Sequence, residues 1–352
     1  MPTKSILTAA NVPIIGGHHV LALQGSPEGW QATPLLALLR LLLPSRPGRG
    51  RLMGKEVGAP LTRRKLFSRR GAGPNFWDYV LTNHIKVALG TTNEEIQTLA
   101  NGGPNPDLFV QRIKNFAPAI SWICVGNEPL GSWYGDKYYP LLGRAVANLH
   151  AALQRAQLKI GVTVPQNFEF MEVSYPPSAG KIKQKFEQTI KDTCAVMQSS
   201  GAPFMVNIYP FLTRVQNRND LPLDYCLFAA GPNHWVHDGN FTYKNILDAM
   251  IDALHVALEK IGYPNLDIVI GECGWPTAGD VDATPANAQT FLQNMINHCK
   301  SGQGTPRLPG RAIRCFVFEM YDENLKSTGP GPFETHWGVC DGTAQPKFPL
   351  KW

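Results

Sequence analysis

The chain predicts an α/β fold organised around a parallel sheet, and three observations lead there. First, from about residue 77 onward, apolar and partly β-branched segments alternate with amphipathic stretches. Strands are predicted at 85–89, 120–125, 158–164, 204–209, 266–270 and 313–320, and helices at 93–99, 138–155, 181–198, 243–261 and 286–300. Strands buried on both faces read as near-continuous apolar runs, and most of these helices are long enough to cross back over a sheet. Second, the punctuation agrees: Thr284-Pro285 opens one helix as cap and first-turn residue, and Gly262 closes another. Third, two of the apolar runs stop at a glutamate, in Val125-Gly126-Asn127-Glu128-Pro129 and in Gly271-Glu272-Cys273-Gly274-Trp275-Pro276. A glutamate just past a buried parallel strand sits at the sheet's carboxyl edge. In a β/α barrel that edge gathers side chains from distant parts of the chain into one cleft. Two carboxylates facing across a cleft suggest cleavage of a glycosidic bond.

The first 75 residues lack a sustained hydrophobic period. They hold eleven Lys and Arg against two Asp and Glu, a balance of +9, so the overall +6 leaves the remainder at about −3. The division read here is 1–76, a basic, Pro/Gly-rich segment expected to be poorly ordered, and 77–352, one globular unit with no linker inside it. Basic character confined to an aromatic-poor leader gives no nucleic-acid partner. The apolar stretch 35–43 contains Arg40 and falls short of the roughly 18 residues of a membrane span, and what precedes it is not a signal peptide of the ordinary kind.

Seven cysteines without a C-x-x-C pair argue against a zinc site or a disulfide framework, and Cys124, Cys273 and Cys315 read as small buried hydrophobes. His234 and His237 lack ligand-spaced companions, no H-E-x-x-H occurs, and Gly102-Gly103-Pro104 is a turn rather than a phosphate loop. No metal and no cofactor is expected. Asn240-Phe241-Thr242 is a glycosylation sequon if the chain is exported.

V-G-N-E-P at 125–129, N-I-Y-P-F at 207–211, G-E-C-G-W-P at 271–276 and F-E-M-Y-D-E-N-L-K at 318–326, in this order, resemble the plant β-1,3-glucanases of glycoside hydrolase family 17. The resemblance runs from about residue 83 to the end. It implies a (β/α)8 barrel, here with its first two strands atypical or missing, that hydrolyses internal β-1,3-glucosidic bonds with retention. By the same resemblance Glu128 matches the general acid/base and Glu272 the nucleophile, roles that require one protonated and one ionised carboxyl about 5–5.5 Å apart. Asn127 would bond the sugar 2-hydroxyl. Glu323, Lys326 and Glu334 match charged positions lining the cleft, and Tyr209 and Phe211 are expected sugar platforms. Trp275 suits packing beneath the nucleophile or a platform. The partner is a neutral β-glucan, the protein is expected to be a monomer, and the resemblance suggests an extracellular or cell-wall location.

The departures lie at the start. Neither a G-V-N-Y-G strand nor one ending near R-I-Y-D precedes residue 85. Six strands leave two open edges, so closure would need substitutes from the leader, with 20–23 and 51–53 as the candidates. The leader also raises the idea of an altered gene model. Two alternatives follow from these readings: a non-catalytic glucan-binding or inactive relative, or a β-1,3-1,4-glucanase using the same carboxylates.

Overall fold

The computed structural model describes residues 85–352, Leu81 and three strands near the start of the chain: β1 (Leu7–Thr8), β2 (Val12–Ile14) and β3 (His18–Gln24). The expected boundary at 76/77, the apolar stretch 35–43 and the candidate strand 51–53 lie outside the described residues. The strands that follow are β4 (Lys86–Gly90), β5 (Ile120–Cys124), β6 (Gly161–Thr163) and β7 (Pro165–Gln166). Next come a hairpin of β8 (Met171–Val173) and β9 (Lys181–Ile182), then β10 (Phe204–Asn207). A second hairpin pairs β11 (Val236–Asp238) with β12 (Phe241–Tyr243) and puts the exposed Asn240 of the sequon in its turn. The last two strands are β13 (Ile268–Cys273) and β14 (Arg314–Val317).

One sheet runs β6-β5-β4-β3-β1-β14-β13-β10-β7, with β2 attached to β3. Its two ends, β6 and β7, are separated by Val164 alone, so the path returns to the same stretch of chain. That stretch bonds in both directions: Val125 N–H donates to Thr163 O at 2.9 Å, and Thr163 Oγ1 donates to Pro203 O at 2.8 Å.

The gap expected between the last and first recognised strands is occupied by the leader. β1 lies parallel to β14, and β3, which contains 20–23, lies antiparallel to both β1 and β4. The missing first two strands thus have substitutes in position, but one of them runs the opposite way from an all-parallel barrel.

The six predicted strands are all present, some shorter than expected. The segment 158–164 narrows because Leu158 N–H still closes the preceding helix on Leu153 O, and 204–209 stops because Pro210 begins a helix. Val87, Ile123, Val162, Val206, Val269 and Val317, one each from β4, β5, β6, β10, β13 and β14, are fully buried. Each such side chain contributes roughly 1.5–3 kcal/mol on leaving water, so these positions anchor the sheet's interior.

The helices are α1 (Asn93–Ala100), α2 (Asn105–Ile113), α3 (Tyr139–Arg155), α4 (Gln184–Ser200), α5 (Pro210–Gln216), α6 (Leu223–Cys226), α7 (Ile246–Lys260) and α8 (Pro285–Ser301). Helix α1 starts in a capping box, with Glu95 N–H on Thr92 Oγ1 and Thr92 N–H on Glu95 Oε2. Thr284 caps α8 as expected. Helix α7 starts three residues later than predicted because Asn245 caps it and Tyr243 belongs to β12. Among the described residues no helix is long and apolar enough to cross a membrane. All seven cysteines are buried and unbridged.

Candidate active site

The first glutamate is delivered by a sharp turn. Beyond β5 the chain enters the left-handed region twice, at Gly126 with φ +70° and at Glu128 with φ +50°. A Cβ on Gly126 would stand 2.3 Å from Asn93 Oδ1 and 2.7 Å from Ile96 Cδ1, so only glycine fits there. The start of α1 clamps this turn: Asn93 accepts from Asn127 N–H and donates to Asn127 O, both at 2.8 Å, and Thr91 Oγ1 accepts from Gly126 N–H at 2.8 Å. Glu128 is then fixed by its own N–H, which donates to Pro165 O at 2.8 Å. A non-glycine residue held at positive φ costs of order 1 kcal/mol or more, and such strain collects at functional sites.

The second glutamate needs no turn. Glu272 lies within β13, 7% exposed, opposite Asn207 of β10, and its carbonyl accepts from Ile208 N–H at 3.0 Å. The end of β10 serves both carboxyls. Asn207 Nδ2 donates to Glu128 Oε1 at 2.8 Å and approaches Asn127 Oδ1 at 3.4 Å, while Tyr209 Oη donates to Glu272 Oε2 at 2.6 Å. Residues two apart on an extended segment share a face, so one strand end reaches two carboxyls with two different donors.

Burial raises the pKa of both glutamates. For Glu128, Asn207 opposes that rise. For Glu272, burial and then the charge of Glu128 push the carboxyl up to about 8, against the bond from Tyr209 and the charge of Lys326. The two titrate as a coupled pair that keeps one proton well beyond the usual carboxylate range. Tyr209 is itself pushed up by burial and by Glu272, so its hydroxyl stays a donor.

Three further expected residues come together after β14. Lys326 Nζ lies 3.1 Å from Glu334 Oε2, 3.8 Å from Glu323 Oε2 and 4.7 Å from the centre of the Phe318 ring. Burial disfavours its charge, but Glu334, Glu319 and Glu323 outweigh that and hold its pKa above the ordinary value. Two aromatic expectations change. Phe211 is fully buried, edge-on to Trp275, Phe333 and Trp337, so it has no face for a sugar and packs in the core instead. Tyr209 packs edge-on against Phe318 and Trp337 and presents its hydroxyl to Glu272, which makes it a hydrogen-bond donor rather than a platform. Trp275 is buried with its indole N–H on Asp282 O at 2.9 Å, the packing role of the two considered. His234 is paired with a residue ten positions earlier, its Nδ1–H donating to Asp224 Oδ1 at 2.8 Å, a contact that sequence spacing hides.

Residues 74–352 match the family model described as Glycosyl hydrolases family 17. The chain belongs to this family. Among family 17 relatives, a "Glucan endo-1,3-beta-glucosidase, basic vacuolar isoform" of Nicotiana plumbaginifolia is 36% identical over 274 residues, covering 76% of this chain and 73% of the relative. Glucan endo-1,3-beta-glucosidase A of Solanum lycopersicum is 32% identical over 281 residues, 79% of this chain and 81% of its own length. Among solved structures, CJP38, a beta-1,3-glucanase and allergen of Cryptomeria japonica pollen, superposes with a TM-score of 0.74 at 36% identity, covering 79% of this chain and 88% of that one. A structure from a pair of plant beta-glucan endohydrolases with distinct substrate specificities gives a TM-score of 0.72 at 32% identity, with the same coverages.

Sequence reasoning passed over two residues of this family 17 site. Asn207 stood inside the N-I-Y-P-F stretch, and its i, i+2 relation to Tyr209 at a strand end was the available signal. Glu319 is 2% exposed, with Oε1 unpartnered. Burial first, then Glu323, push its carboxyl up to about 10.

Proposed function

We propose that this family 17 chain is a retaining endo-β-1,3-glucanase in which Glu128 is the general acid/base and Glu272 the nucleophile. The observation that carries the assignment is the pair of donors on one strand end, Asn207 on Glu128 and Tyr209 on Glu272. The tyrosine hydroxyl favours the ionised form of Glu272 against the burial and the charge of Glu128 that push its carboxyl up to about 8, so the attacking carboxylate is populated as pH rises toward that value. Asn207 opposes protonation of Glu128, but burial outweighs it and keeps this carboxyl raised, with the oxygen the amide does not occupy left to hold a proton. Glu128 gives that proton to the glycosidic oxygen while Glu272 Oε attacks the anomeric carbon, and a glycosyl ester forms as the C–O bond breaks. Glu128, now ionised, takes a proton from water, which displaces Glu272 from the anomeric carbon and restores β configuration. Asn127, half-buried beside Glu128, is the proposed partner of the sugar 2-hydroxyl, and Lys326 with Glu323 and Glu334 would line the cleft.

The β-1,3 linkage rests on the names of the relatives. The catalytic unit is proposed as 77–352, acting as a monomer on a neutral polysaccharide in the cell wall or outside the cell, with the vacuole suggested by one relative's name. A second reading, a β-1,3-1,4-glucanase, is favoured by the neighbour whose description contrasts two specificities. The test is incubation of the full chain and its Glu272→Gln variant with linear β-1,3-glucan and, separately, mixed-linkage glucan, following reducing ends and product anomer. The proposal expects β-configured oligosaccharides from the first substrate and none from the variant. Release from mixed-linkage glucan alone selects the second reading, and no release from either selects a glucan-binding or inactive relative.

A further inference from the structure

The loop that leaves Glu128 carries an indole on the surface. Trp133 is 58% exposed, five residues beyond Glu128, in the 3-10 turn Ser132–Tyr134. Two successive turns tie its backbone to that of Glu128: Gly131 N–H donates to Glu128 O at 2.9 Å, and Tyr134 N–H donates to Gly131 O at 3.0 Å. Ser132 N–H is tied to Glu169 Oε2 at 2.8 Å, and Glu169 is close enough to raise the pKa of Glu128.

A single exposed apolar residue is ordinary on a protein surface. What sets this one apart is that the fold seats it. A Cβ on Gly131 would lie 2.5 Å from Cε2 and from Cζ2 of the Trp133 ring, so the indole rests directly on a buried glycine that has made room for it. The Tyr134 ring braces it at 5.9 Å and is in turn held edge-on by Tyr138 at 5.1 Å. The ring is therefore held in one orientation while more than half open to water. A fixed, flat, apolar surface loses little freedom when it receives a ligand, and the C–H face of a pyranose is flat and apolar.

We propose that Trp133 is the platform of a sugar subsite on the leaving-group side of the scissile bond, stacking on a glucosyl ring past the one that departs. The side follows from the proposed roles, on which this inference rests: the loop of the general acid borders the group that receives its proton. A neutral β-glucan supplies such a ring and asks for no charge at the contact.

The test compares Trp133→Ala and Trp133→Phe with wild type on two substrates: a long linear β-1,3-glucan, and β-laminaribiosyl fluoride, whose leaving group has neither a sugar nor a ring. The expected result is a fall in kcat/KM on the polymer of about tenfold or more for Trp133→Ala, a much smaller fall for Trp133→Phe, and an unchanged rate on the fluoride for both. Equal losses on polymer and fluoride would reduce Trp133 to a structural residue, and an unchanged polymer rate would remove the subsite. Failure of the wild type on both substrates would overturn the catalytic reading, and the subsite with it.

Discussion

Glu128 and Glu272 meet the same strand end, through Asn207 and Tyr209, on different kinds of backbone. Glu272 sits within β13, 7% exposed, where the pairing to both neighbouring strands shifts register, and its carbonyl is held by Ile208 N–H. Glu128 is half-buried past the end of β5, at φ +50°, and depends on Asn93, Thr91 and Pro165 to hold a turn. The donors differ in kind as well, a phenol against an amide. Two carboxyls of the same chemistry are thereby given unlike surroundings, which is how one can keep a proton while the other loses it.

Fluoride as a leaving group breaks this comparison most sharply, because its departure needs little help from an acid. Glu272→Gln is expected to abolish hydrolysis of both linear β-1,3-glucan and β-laminaribiosyl fluoride, by roughly 10⁴-fold or more. Glu128→Gln should lose the polymer comparably yet consume the fluoride far faster than Glu272→Gln does, as measured by fluoride release. Next in size is Tyr209→Phe. Loss of one preorganised donor costs on the order of 10²-fold in kcat. The lost bond lowers the pKa of Glu272, so the acid limb of the pH–rate profile moves to higher pH. Asn207→Ala, expected to cost about tenfold, acts on the other limb. The bond it removes lowers the pKa of Glu128, so the proton needed for leaving-group departure is kept longer and the alkaline limb moves up.

The smallest effect concerns stability. Glu319, raised from an ordinary 4.5 to about 10 by burial, binds its proton more tightly folded than unfolded. Between those values the folded chain holds more protons, so this group's contribution to stability falls as pH rises. Glu319→Gln should raise Tm by more at pH 8 than at pH 5, read by thermal melts at both.

Much of this was legible in the sequence for identifiable reasons. Strand–helix alternation and the two glutamates are local patterns, and the apolar runs that end at Glu128 and Glu272 correspond to β5 and β13. Side-chain partners were less legible, because contacts such as Asn207 with Glu128 join residues 79 apart. Phe211 misled because an aromatic at a strand end is written the same way whether it faces a cleft or, as here, three other rings. The leader showed only part of its strands: 20–23 was a candidate and lies in β3, while β1 and β2 were missed. β1 is only two residues long, and β3 pairs through backbone groups that any sequence carries.

The direction of β3 has a practical consequence. His19 pairs with Gly90, at the rim where the glutamates gather, and Gln24 pairs with Lys86, at the far rim. The other long strands of the sheet release their chain toward the glutamates; this one releases it away from them. A label or fused module inserted just after Gln24 would therefore start from the rim opposite the glutamates, which makes that point a natural handle for tethering the protein.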